Sequence, residues 1–466
     1  MTTEQQLPKG WKIERLGDIA ISEKGKKPKN QSREKTDKYC YPYVDIEAFE
    51  KGVIKSYTDG VKCVLCDEDD FLMVWDGSRS GLVGKGIKGA LGSTLVRISL
   101  PDINNLYAYY FLLSKYKEIN TRAKGSGTPH VDPDLLWNYA FPIPPNLETQ
   151  QAIVNKIESL FAEIDAGIGS LKTAVQQIQQ YRQSLLKNAF NGELTKEWRS
   201  KHADTLPSEN ELLAQIQTTR EQHHAQQLAN WQTAVSQWEQ NGKEGKKPSK
   251  PKAPTQAVKF EENFADLPKG WIWGKLSDLG ELARGKSKHR PRNDKKLFGG
   301  RYPFIQTGEV RAANRIIKKY EQTYSEFGLE QSKLWQKGTL CITIAANIAE
   351  TAFLGFDACF PDSIVGFSAS KAVLPEYIEL FINSARTRIE SYAPATAQKN
   401  INLNTLENLI VPYCSLAEQT QIVAILESKL TACDQLAAEL AKQLKQAELL
   451  KQAVLKAAFS GNLLDK

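Results

Sequence analysis

Leu7-Pro8-Lys9-Gly10-Trp11 returns later in the same chain as Leu267-Pro268-Lys269-Gly270-Trp271, and the rest of the sequence is organised around this repetition. Leu16 and Asp18 return as Leu276 and Asp278, and Tyr41-Pro42-Tyr43-Val44 returns, conservatively changed, as Tyr302-Pro303-Phe304-Ile305. The far ends agree as well: residues 183–194 (QSLLKNAFNGEL) come back as 452–463 (QAVLKAAFSGNL). One pentapeptide could match by chance. Several matches in the same order, at nearly constant separation, mark an internal duplication.

Each repeat has two parts. The first mixes short β-like runs (71–75, 94–98, 339–345, 364–367) with glycine-rich turns and helical stretches such as 106–117, which predicts a mixed α/β globule. The second is a long helix. In the first copy apolar residues fall at Ile153, Ile157, Leu160, Ile164, Ile168, Leu171, Val175, Ile178, Tyr181 and Leu185. The second copy offers Ile422, Leu426, Leu430, Cys433, Ala437, Leu440, Leu444, Ala447 and Val454. Steps of three and four make a coiled-coil seam. A helix of about 40 residues, about 60 Å long, is too long to lie on one small globule and calls for a partner helix. The other copy supplies it. The expected fold is therefore α+β: two globules, each followed by a long helix, with the helices in an antiparallel coiled coil of pseudo-twofold symmetry. Gly192 and Gly461 suit left-handed caps at the two helix ends, while Gly167 and Gly169 invite a bend in the first helix.

The predicted divisions are a first globule over 1–145, a helical region over 146–200, an insertion over 201–258, a second globule over 259–412 and a second helical region over 413–466. In the insertion, residues 208–240 read as helix and 241–254 (NGKEGKKPSKPKAP) as a mobile Lys/Pro tether.

The 466 residues carry a net charge of +7 and 41% apolar residues, a globular composition with a modest basic excess. No apolar run is long enough to cross a bilayer, and residues 1–9 lack the apolar core of a signal peptide. The seven scattered cysteines fit a reducing cytoplasm, and Cys63 and Cys66 form a lone C-x-x-C that reads as ordinary thiols.

The basic residues cluster at equivalent places. Lys24, Lys26, Lys27 and Lys29 stand in the first globule; Arg284, Lys286, Lys288 and Arg290 stand in the second. Lys24-Gly25-Lys26 aligns with Arg284-Gly285-Lys286, so a shared polyanion explains both, with the glycine letting backbone approach a phosphate. Downstream, Trp75-Asp76-Gly77-Ser78-Arg79 follows a strand and opens a glycine-rich loop. Arginine can read guanine bidentately and aspartate can accept from the cytosine amino group. The corresponding place in the second copy reads Thr343-Ile344-Ala345-Ala346-Asn347, and asparagine suits adenine. Loops that differ between copies with agreeing flanks are expected if the copies read different half-sites of duplex DNA. Trp75, Asp76, Ser78, Arg79, Thr343 and Asn347 are the candidate base readers. Ordinary loop drift and solvated charge runs are the plain alternatives.

Catalytic signatures do not assemble. The stretch from Gly77 to Lys85 fails as a P-loop because Arg79 stands at the first glycine and Gly86 follows the lysine. There is no Asn/Asp-Pro-Pro-Tyr/Phe motif, and none of the five histidines forms an H-E-x-x-H pair.

The repeats resemble the specificity subunits of type I restriction–modification systems. The resemblance rests on the opening Leu-Pro-x-Gly-Trp, the approach to the helix (Leu147-Glu148-Thr149-Gln150 with Ile153-Val154; Leu416-Ala417-Glu418-Gln419 with Ile422-Val423), and the helix end Ala189-Phe190-Asn191-Gly192-Glu193-Leu194 continued by Glu197-Trp198-Arg199. Thr149 departs from the family's glutamate, which Glu418 keeps. The resemblance implies a non-catalytic DNA-binding subunit whose target is two short sequences around an unread spacer. It also implies two modification subunits, two restriction subunits, and no cofactor on this chain, since S-adenosylmethionine, ATP and Mg2+ would belong to the partners. A coiled-coil adaptor whose globules bind protein is the alternative.

Overall fold

The computed structural model describes residues 7–125, 127–245, 247–251, 253–254, 266–393 and 400–464. Its long helices are α1 (Asn105–Thr121), α2 (Leu147–Phe190), α3 (Glu209–Gln240), α4 (Pro375–Ser391) and α5 (Leu416–Phe459). Two compact units result: residues 1–175 with 438–466, and residues 176–437. The unit boundaries cut α2 and α5 near their middles, so structural unit and sequence repeat are out of phase.

The first unit holds β1 (Lys12–Arg15), β2 (Ile21–Lys24), β3 (Phe71–Val74), β4 (Val83–Lys85), β5 (Leu95–Ser99) and β6 (Ala140–Ile143). An antiparallel sheet runs in the order β2-β5-β3-β4. All four residues of β3 are buried, as its unbroken apolar run requires. β1 pairs with β6, the strand that precedes α2, and so fastens the start of the globule to the start of its helix. Tyr107 on α1 donates its hydroxyl to the Pro142 carbonyl at 2.9 Å. The first half of α2 (Ile153, Val154, Ile157) shares one core with the last turns of α5 (Val454, Leu455, Ala458), and Lys451 reaches Asp165 at 2.6 Å.

The second unit repeats this plan with its own residues: β7 (Ile272–Lys275), β8 (Gly280–Arg284), β9 (Ile316–Ile317), β10 (Leu340–Thr343), β11 (Thr351–Leu354), β12 (Ile364–Ala369) and β13 (Ile410–Tyr413). The sheet order is β8-β12-β10-β11-β9. β7 pairs with β13, and Tyr377 on α4 donates to the Pro412 carbonyl at 2.7 Å. The end of α2 packs on the start of α5: Arg182 pairs with Asp434 at 2.6 Å, and further along Thr195 and Arg199 reach Glu418 at 2.7 and 2.6 Å. Residue numbers rise along one segment as they fall along the other.

The helix-end glycines have a double duty. Gly192 and Gly461 both sit at φ +79°, and a Cβ on either would lie 2.3 Å from a proline ring, Pro268 for the first and Pro8 for the second. Each helix end is thus pressed against the opening motif of the other repeat. In that motif the Trp11 and Trp271 N–H groups return to the Pro8 and Pro268 carbonyls at 3.2 and 3.1 Å, the same tight turn twice.

Some expectations hold and others need correcting. Ile153, Ile157, Ile168, Ile178 and Leu185 are buried as the seam required, but Tyr181 is 47% exposed and off it. Helix α2 runs on through Gly167 and Gly169, where an added Cβ would meet nothing within 4 Å. In the insertion, the helix expected over 208–240 forms as α3, started by a capping box of Ser208 and Glu211, while described residues of the expected tether fold back on it. The Trp231 indole donates to the Pro248 carbonyl at 3.0 Å, with Lys250 over the same ring and Lys247 over Trp238.

Candidate nucleic-acid interface

In the first unit, β3 delivers the loop that follows it, and hydrogen bonds then hold the loop's backbone. Gly81 donates to the Val74 carbonyl at 2.7 Å and Val74 to Leu82 at 2.8 Å, which closes the loop at its base. Asn120 on α1 donates to the Ser78 and Ser80 carbonyls, both at 3.0 Å. Trp75 is half-buried and stacks on Trp137 at 6.4 Å, so it supports the loop from below. Ser78 and Arg79 are left exposed at the tip. The Arg79 guanidinium is held at 2.6 Å by Glu50, whose other carboxylate oxygen is buried without a hydrogen-bond partner.

Asp76 does not stand free. Lys24, the last residue of β2, reaches it at 2.8 Å and joins the basic cluster to the loop. Lys26, Lys27 and Lys29 are exposed and make no ion pair among the described residues. A second loop, unforeseen from the sequence, lies alongside. Lys124 and His130 exchange backbone hydrogen bonds at 2.9 and 2.8 Å, and Gly77 donates to the Pro129 carbonyl at 2.7 Å. Its composition, Lys124-Gly125 with Gly127-Thr128-Pro129-His130, is the glycine-and-base pattern that could have marked it.

The second unit builds the same scaffold with a different tip. Val131 donates to the Trp75 carbonyl at 2.9 Å in the first unit; Ile401 donates to the Ile344 carbonyl at 2.9 Å in the second. Thr343 is fully buried, its hydroxyl spent on the Asn347 carbonyl and on the Glu350 N–H, so it shapes the loop and has no surface to offer a base. Ala346 is exposed and Asn347 half-buried. Arg386 grips Glu350 bidentately at 2.7 and 3.1 Å and fixes the loop's far end. The segment corresponding to the second loop, 394–399, lies outside the described residues.

The other basic cluster is partly committed. Arg284 donates to the Asp362 carbonyl at 2.7 and 2.9 Å, and Arg290 to the Ser287 and His289 carbonyls at 2.7 and 2.8 Å. Bonds to carbonyls fix a guanidinium without cancelling its charge. Lys286 and Lys288 are exposed and make no ion pair among the described residues. The aligned glycines turn out to face inward. A Cβ on Gly25 would stand 2.2 Å from the Gly92 carbonyl oxygen, and one on Gly285 would stand 2.3 Å from that of Phe360. They are conformational necessities of the sheet edge rather than openings for a phosphate.

Cys66 donates its thiol to the Ile87 carbonyl at 3.0 Å, and burial pushes its pKa up to about 11. Among the described residues no cluster of three or more metal-ligating side chains occurs, and no helix is long and apolar enough to cross a membrane.

Residues 8–172 and 268–446 match the family described as the type I restriction modification DNA specificity domain. The chain is 30% identical to the type I restriction enzyme MjaVIII specificity subunit of Methanocaldococcus jannaschii over 40% of this chain and 43% of that one. It is 24% identical to the Escherichia coli K12 EcoKI specificity subunit over 76% of this chain, spanning 65% of its length. It is 21% identical to the Escherichia coli EcoDI specificity subunit over 98% of this chain and 90% of that one. Its fold is similar to a chain solved in a study of complex assembly and conformational transition of the type I R-M system (TM-score 0.67, 18% identity, 98% and 99% covered). It is also similar to the HsdS subunit of Thermoanaerobacter tengcongensis (TM-score 0.54, 17% identity, 99% of each chain).

Proposed function

The chain belongs to the family of type I restriction modification DNA specificity domains, and from that premise we propose that it recognises a bipartite duplex target, each globule reading one half-site. The observation that carries this reading is the pair of loops after β3 and β10. Their anchoring hydrogen bonds to Val131 and Ile401 coincide, while their tips carry Ser78 and Arg79 in one case and Ala346 and Asn347 in the other. A shared scaffold with unlike tips suits two different sequences. The exposed lysines at 26, 27, 29, 286 and 288 supply sequence-independent attraction to phosphates.

In this reading α2 and α5 run antiparallel along their full lengths, with pseudo-twofold symmetry, and set the span between the readers. Methylation of adenine and cleavage are performed by two modification and two restriction subunits in the cytoplasm. S-adenosylmethionine, ATP and Mg2+ reside on those subunits. This chain directs them and performs no chemistry itself.

The alternative, an adaptor whose globules bind protein, is separated by the affinity of the pure chain for duplex DNA as salt is varied. A DNA reader loses affinity linearly on a log–log plot, with a slope of roughly −0.9 per phosphate contacted. A flat line would favour the adaptor.

A further inference from the structure

The two repeats offer a like-for-like comparison of one surface. In the second unit, the stretch 271–281 (opening tryptophan, β7, a helical turn Leu276–Leu279 and the start of β8) is covered by α3. The covering stripe is regular: Leu212 and Ile216 are buried in the same core as Trp271 and Leu276. One turn further on, Arg220 pairs with Asp278 at 3.0 Å, and then His223 meets Glu281 at 2.8 Å. These residues recur at i, i+4, i+8 and i+11 and so share one helix face.

In the first unit the homologous stretch, 11–21, has no such cover among the described residues. Trp11 is only half-buried where Trp271 is 2% exposed, and Lys12 is exposed where Ile272 is buried. The Asp18 side chain is 60% exposed where that of Asp278 is 11% exposed. Its only ion-pair partner among the described residues is Arg15, one turn away at 3.8 Å. Ile21, at the position of Glu281, is 54% exposed on the edge strand β2. An uncovered carboxylate beside an exposed isoleucine, on an element that elsewhere in the same chain carries a helix, is an incomplete surface.

We infer that the Trp11–Asp18–Ile21 face of the first unit docks a helix of a second polypeptide, carrying two apolar residues one turn apart, an arginine one turn on, and an apolar residue in place of His223. The arginine answers Asp18 as Arg220 answers Asp278. The last apolar residue answers Ile21, which stands where the second repeat has Glu281. Ile21 shares the strand β2 with Lys24, so the two assignments are told apart by readout: peptide binding tests this face, and salt-dependent duplex binding tests the lysines and loops.

The probe is a stapled peptide of residues 209–228 (ENELLAQIQTTREQHHAQQL) with His223→Leu; the staple is needed because an isolated helix of this length is only marginally stable. Added to the full-length chain, it should bind saturably. Asp18→Arg in the chain should weaken it tenfold or more, and a peptide with Arg220→Asp should regain affinity for that variant. Ile21→Lys is the second test, since both positions are exposed and the variants should melt with the parent. In the reconstituted complex, a photo-crosslinker at position 21 should label a helix of another subunit. No saturable binding, binding indifferent to Asp18→Arg, or crosslinks confined to this chain or to DNA would overturn the assignment.

Discussion

Lys24 and Asp76 are ion-paired at 2.8 Å, joining the end of the edge strand β2 to the loop after β3. The pair couples the charge of the basic cluster to the position of the candidate reading loop. Asp76 therefore holds back one lysine that could otherwise meet a phosphate. Asp76→Asn should raise affinity for random duplex DNA and steepen the log–log salt slope by up to roughly 0.9. Lys26→Ala with Lys27→Ala should do the opposite, as should Lys286→Ala with Lys288→Ala. Equilibrium binding at several salt concentrations checks all three, and slopes equal to the parent's would mean that these lysines are only solvated.

Arg199 and Glu418 meet at 2.6 Å with 14% and 1% of their side chains exposed, and the same carboxylate accepts from Thr195 and from the Trp271 indole. Breaking a buried pair leaves a charge without a partner, at roughly 3–5 kcal/mol. Glu418→Gln should therefore destabilise the chain by that order in denaturant melts. Replacing both partners together, Arg199→Met with Glu418→Leu, should cost much less than the sum of the single changes. A strictly additive double mutant would show that the pair acts as two independent groups.

If α2 and α5 form a continuous ruler, lengthening them moves the reading globules apart. Four residues inserted after Ala174, with four inserted at the facing level of α5, extend each helix by about 6 Å. DNA rises about 3.4 Å per base pair. Methylation by the reconstituted complex, on a library of spacer lengths, should shift to a spacer one or two base pairs longer with unchanged half-sites. An active variant that keeps the parental spacer would leave the helices as a docking platform only.

The duplication, the two globules and the long helices were legible because they repeat in sequence and in period. Tyr181 was misplaced because a period read over ten positions tolerates one residue that turns outward. Gly25 and Gly285 looked like phosphate sites because a glycine between basic residues says nothing about what packs where its Cβ would be; the facing carbonyls come from residues about 70 positions away. Thr343 and Asn347 looked equivalent as candidates, and only the fold showed that one is interior. Glu418 was recognised as a family position, but its partners lie on the other repeat, beyond the reach of local pattern. The loop between Lys124 and His130 was missed although its glycines and basic residues were in plain view.

The central claim is that each globule reads its own half-site, and selection of cognate duplexes from a randomised library tests it most directly. Arg79→Ala should relax preference at one base pair of one half-site, by on the order of 1–3 kcal/mol if the contact is bidentate. Asn347→Ala should relax preference only in the other half-site. If instead both variants alter the same half-site, or lower affinity equally for selected and random DNA, the division of reading between the two globules is contradicted.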